Sequence, residues 1–120
     1  MEKVKNFLKD RGVSLVSIGI NAYALKKSDA LEFLNILEQE KVPVLGGEAF
    51  SWKDNCLTLT YDNWFCNRDD SKNKDCFLLL SLEKARNFIE NYPDPSVLYE
   101  ITVDAELNLF PPLKFLLIPF

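Results

Sequence analysis

Val44 to Phe65, VLGGEAFSWKDNCLTLTYDNWF, carries the strongest structural signal in the chain. Two runs rich in aromatic and β-branched residues flank Asp54-Asn55, a pair able to form a two-residue hairpin turn. Reversing the chain there pairs Trp52 with Leu57, Phe50 with Leu59 and Val44 with Phe65, on one almost wholly apolar face. The other face then holds Ser51 with Thr58, Ala49 with Thr60, Gly47 with Asp62 and Leu45 with Trp64. A slip of one residue would exchange the faces, so the hydrophobic pattern argues for this register. The second face, taken as outward, sets a tryptophan over glycine beside small polar residues, the make-up of an interaction patch. Tyr61-Asp62-Asn63 adds acceptors and an amide next to that aromatic. Trp64 has a competing reading, in which it lies under a helix layer and fills the core or shields the glycine backbone.

Outward from the hairpin the periodicity changes. Val4, Phe7 and Leu8 share a stripe of a helix over 2–10, which Gly12 ends. Val13, Leu15, Ile18 and Ile20 follow in a stretch that fits strand and turn equally. Ser28 has the chemistry of an N-cap, with Asp29 favourable in the first turn. The helix behind it carries Leu31, Phe33, Leu34, Ile36 and Leu37, a face wide enough for a central helix, and Val42-Pro43 stops it. Residues 67–75 form a polar loop. Ser81 caps a further helix with a stripe of Leu82, Ala85, Phe88, Ile89 and Tyr92, ended by Pro93 and Pro95. Val97, Tyr99, Ile101 and Val103 alternate as a strand placed beside the hairpin. This order predicts an α+β domain over residues 1–106: a small antiparallel sheet, the central hairpin plus a C-terminal strand, packed against about three helices.

Beyond it, residues 107–120 form an apolar tail containing three prolines. It is too short for a membrane span, which needs about 20 apolar residues, and is expected to lie on the domain or on a second copy as a homodimer contact. Fourteen basic against 18 acidic residues, with no histidine, give a net charge of −4. Nucleic acid is a poor partner for that balance, whereas a basic protein surface suits it; the charge also serves solubility. Cys56, Cys66 and Cys76 lack Cys-x-x-Cys spacing and a histidine to complete a zinc site, so they read as free, buried or half-buried thiols. The N-terminal Met-Glu-Lys-Val-Lys has no long apolar signal core, which points to the cytoplasm.

The pattern supplies no active site. Without histidine no Ser-His-Asp or Cys-His pair exists. Leu45-Gly46-Gly47-Glu48 lies inside a hairpin, not in a strand-to-helix phosphate loop, and Asp69-Asp70 sits in a polar loop. The expectation is a non-catalytic binder with no cofactor and no metal. A self-associating structural or adaptor module is the rival reading.

Several stretches together resemble the immunity protein 40 family of bacterial polymorphic toxin systems. They are Ile18-Gly19-Ile20-Asn21, Tyr23-Ala24-Leu25, Ser28-Asp29-Ala30-Leu31, Pro43 to Glu48, Tyr61-Asp62-Asn63-Trp64 and Ile89-Glu90-Asn91-Tyr92-Pro93. The likeness covers roughly residues 13–103, and its order and spacing are more specific than any one motif. It implies a protein that binds and neutralises a cognate toxin. The family's Gly-Gly-Asp and tryptophan marks fall on Gly46, Gly47 and Trp64, with Glu48 in place of the aspartate. Together with the hairpin, the resemblance makes Gly46, Gly47, Glu48, Tyr61, Asp62, Asn63, Trp64, Asp69 and Asp70 the candidate partner-binding set.

Overall fold

A computed structural model describes residues 1–68 and 73–110. Among them the elements run α1 (Glu2–Arg11), β1 (Val13–Ser14), a 3₁₀ turn (Val16–Ile18), β2 (Tyr23–Lys26), α2 (Lys27–Gln39), β3 (Val44–Lys53), β4 (Cys56–Phe65), α3 (Lys74–Asn91) and β5 (Leu98–Val103). The sheet has the order β1-β2-β5-β3-β4, with every pairing antiparallel. The hairpin and the C-terminal strand are therefore neighbours, as the alternation predicts, and β5 is the middle strand. The stretch after Gly12 resolves into β1, the 3₁₀ turn and, beyond it, β2, elements too short to show a period of their own.

The helices begin elsewhere than their serines suggest. Lys26, in extended geometry, precedes α2, and Ser28 lies within its first turn with no capping hydrogen bond. Asp29 is buried and accepts a 2.8 Å hydrogen-bonded ion pair from Arg11 Nη1, tying α2 to the end of α1. At the other end Lys41 takes a left-handed conformation, φ 57°, while Val42 N–H donates to the Leu37 carbonyl and Lys41 N–H to that of Glu38. This is a Schellman turn, and it closes the helix before Pro43 is reached.

Helix α3 starts seven residues before Ser81. Its cap is Asn73, whose side chain accepts the Cys76 N–H at 2.8 Å. Ser81 is instead fully buried mid-helix, where its Oγ accepts the Val44 N–H and donates to the Leu78 carbonyl, both at 3.0 Å. Asn73-Lys74-Asp75 resembles a loop because its residues are polar, yet they are the solvated first turn of a helix that dives into the core at Phe77.

The sheet is covered on both faces, unequally. The helices pack on one face, joining Val4, Leu8, Phe33, Leu34, Leu37, Leu82 and Ile89 to Leu25, Ala49, Trp64, Tyr99 and Ile101. The other face carries a smaller cluster of Ala24, Phe50, Leu57 and Leu98 under Leu15, flanked by Ile18, Ile20 and Trp52. The apolar hairpin face thus lies beneath residues 15–22, and the face taken as outward is the one under the helices.

The turn forms as read, with Asp54 and Asn55 both left-handed at φ 53° and 58°, and Trp52↔Leu57, Ser51↔Thr58 and Phe50↔Leu59 pair as predicted. Past Ala49 the register slips. Glu48 meets Asn63, Gly47 meets Trp64 rather than Asp62, and Gly46 meets Phe65, in place of Val44. The cause is a bulge of residues 60–62 on β4: Tyr61 adopts φ 66°, Thr60 Oγ1 donates to the Ala49 carbonyl at 2.6 Å and accepts the Asp62 N–H at 3.1 Å.

Of the tail, Leu107 is buried in the main core, Leu109 packs against it, and the Phe110 ring stacks on Tyr23 at 5.1 Å. Residues 111–120 lie outside the described residues. No helix among the described residues is long and apolar enough to cross a membrane. Cys66 is buried, whereas Cys56 and Cys76 are exposed rather than packed inside.

Candidate functional site

The candidate set divides at the bulge. Trp64 lies under α3, 8% exposed, its ring 4.6 Å from that of Phe88, and it is a core residue rather than an outward anchor. Phe88 continues the cluster to Tyr92 and Tyr99. Gly47 is the floor beneath the indole: a Cβ there would sit 2.6 Å from Trp64 Cζ3 and closer still to Trp64 Cη2 and the Glu100 carbonyl oxygen. A Cβ on Gly46 would run into the Trp64 carbonyl and lie 3.1 Å from Phe65 Cα. Packing alone therefore demands glycine at 47, against the Trp64 indole, and at 46, against the Trp64 carbonyl. The slip in register, invisible in the sequence, is what brings Gly47 and Trp64 face to face.

Tyr61 is the reverse case. Its backbone is left-handed and its side chain is 80% exposed, on the edge strand of the sheet. A bulky residue rarely holds that conformation, and here Thr60 locks it from both sides. Asp62 accepts the Tyr92 hydroxyl at 2.6 Å, which pins the bulge to the end of α3 and pushes the Tyr92 pKa above its ordinary value. Asp69 and Asp70 lie outside the described residues.

Glu48 and Asn63 belong to a row across the sheet. Cross-strand partners run Ala24, Glu100, Glu48, Asn63 over β2, β5, β3 and β4. Side chains alternate along a strand, so Glu48 shares the face of Phe50, and Glu100 that of Leu98. Both carboxylates thus occupy the face away from the helices, beyond the small cluster. Glu100 accepts from Thr102 Oγ1 at 3.0 and 3.1 Å. Burial pushes its pKa up, and the Glu48 charge acts in the same direction. Glu100 is absent from the candidate set, although Tyr99-Glu100-Ile101 places it opposite two core side chains; only the β3–β5 register reveals Glu48 as its neighbour.

A cleft of about 630 Å³ lies between the α3 start and the loop after α2, lined by Lys41, Pro43, Phe77, Leu78 and an Arg68–Asp104 ion pair. Its described lining juxtaposes charges and apolar carbon. No group of three or more metal-ligating side chains occurs among the described residues.

No curated protein and no solved structure matches the chain. A family profile described as Immunity protein 40 matches residues 14–103, from β1 to the last residue of β5, and by that match the chain belongs to the immunity protein 40 family.

Proposed function

We propose that this protein binds a cognate bacterial toxin in the cytoplasm of the producing cell and neutralises it by occlusion, without catalysis. The observation that carries the reading is the family match over residues 14–103, the region that contains all of the sheet except Val13, together with α2 and α3. Occlusion asks of the inhibitor only a complementary surface, and the exposed members of the candidate set are the residues we assign to it. Tyr61 stands out on a locked bulge, with Asp62 and Asn63 beside it and Glu48 one strand inward. A backbone fixed before binding has less entropy to lose on contact, and an exposed tyrosine is a residue type enriched among hot spots. Asp69 and Asp70, outside the described residues, stay in the proposed contact set on the sequence alone. Gly46, Gly47 and Trp64 support it from within.

The test is co-expression with the toxin candidate encoded by the neighbouring reading frame. Restored growth and a stable complex on size exclusion are expected, and Tyr61→Ala should weaken the complex by about 2 kcal/mol. A wild-type protein that neither protects nor associates would exclude this reading.

A further inference from the structure

The sheet face away from the helices is only partly covered. Residues 15–22 lie over the half that contains Ala24, Phe50, Leu57 and Leu98. The half beyond it carries Glu48 and Glu100 as direct cross-strand partners. Like charges placed opposite each other on neighbouring strands oppose folding. Among the described residues no lysine or arginine forms an ion pair with either, while other carboxylates of the domain, such as Asp29 and Asp104, are paired. Among the described residues, the hydrogen bond to the pair is that from Thr102 Oγ1 to Glu100. Among the described residues, folding therefore leaves two carboxylates together, half-buried, with no cation paired to them.

Beside the pair on the same face lies an apolar groove of about 340 Å³, lined by Ile18, Ile20, Leu57, Leu59 and Tyr61. Leu59 is opposite Phe50, two residues along β3 from Glu48, about 7 Å away at strand spacing. Leu59 is 45% exposed, so the groove is open among the described residues. Acid pair and groove lie on the same sheet face and present two demands, a cation and, one step along the strand, apolar carbon.

We infer that this face is the docking surface for a basic segment of a protein partner, a lysine or arginine entering between Glu48 and Glu100 while a neighbouring apolar side chain fills the groove beside Tyr61. The assignment rests on the toxin-binding reading for the partner's identity and on charge complementarity for its chemistry. A metal ion suits the site less well, because among the described residues the two carboxylates have no third acidic or thiol ligand beside them.

The experiment uses the full chain and a hexa-arginine peptide as probe, followed by amide NMR and thermal melting at low salt. The peptide is expected to shift the amides of Glu48, Asn63, Tyr61 and Glu100, and to raise the melting temperature. Glu48→Gln/Glu100→Gln is expected to bind it at least about tenfold more weakly, a loss of about 1.4 kcal/mol. The same variant should melt higher than wild type without peptide, since the repulsion is gone. Glu48→Gln alone keeps the Thr102 hydrogen bond and guards against a folding defect in the double variant. Shifts centred elsewhere, undiminished binding by both variants, or a larger response to magnesium or calcium chloride than to the peptide would each overturn the assignment. None of these readouts involves the toxin, so a failure of the co-expression experiment is a separate result.

Discussion

A methyl group at position 47 would meet the Trp64 indole on one side and the Glu100 carbonyl on the other. Gly47→Ala is therefore expected to cost about 1–3 kcal/mol by overpacking, and Trp64→Ala about 3–5 kcal/mol by leaving a cavity against Phe88. Denaturant unfolding measures both. Tyr61→Ala removes a side chain with few neighbours and should change stability by less than about 1 kcal/mol. The family marks were thus visible as letters, but their purpose was not, because it depends on a bulge that a fixed two-strand register cannot contain. Glu100 supplies a pH-dependent counterpart. Burial, with the Glu48 charge facing it from β3, raises its folded pKa above the ordinary 4.5. An acid raised on folding contributes stability that is fully present below about 4.5 and lost as pH rises through its folded value. Glu100→Gln removes that loss. Its stability relative to wild type should grow as pH rises through this window and level off above it; a difference independent of pH would refute the assignment.

At the scale of elements, two serines with the same sequence credentials do different things. Ser28 sits in the first turn of α2 and caps nothing, whereas Ser81 gives the buried Val44 N–H its acceptor. Ser81→Ala leaves that donor unsatisfied and is expected to cost about 1–3 kcal/mol. Ser28→Ala should stay within about 0.5 kcal/mol, since exposed sites away from caps tolerate change. A larger effect at Ser28 than at Ser81, in parallel thermal melts, would reverse the structural assignment. The contrast also shows what was legible. Asp54-Asn55 could be read because a two-residue turn is a local event, and α2 because its apolar face repeats over three turns. β2 could not, since Tyr23–Lys26 becomes a strand only through pairing with β1 and β5. The start of α3 was hidden for a related reason: its polar first turn matches the loop before it, and the helix declares itself only where Phe77 enters the core.

For the molecule as a whole, the C-terminal segment separates folding from association. Leu107 fills part of the main core, Leu109 packs against it, and Phe110 stacks on Tyr23. These contacts join residues 107–110 to the domain that the sequence delimits at 106. Ending the chain at residue 106 removes a buried leucine and a ring pair, so a loss of about 2–4 kcal/mol is expected. Ending it at residue 110 keeps both. The apolar composition of residues 111–120 then raises the question of association, because such a run, if left uncovered, would favour contact with another surface. If that run joins two copies, the chain ending at 110 should keep the parent's melting temperature while its mass in solution falls from dimer to monomer. A chain ending at 110 that melts as low as one ending at 106 would assign residues 111–120 to the fold itself. Light scattering and thermal melts on the two truncations and the parent distinguish these outcomes.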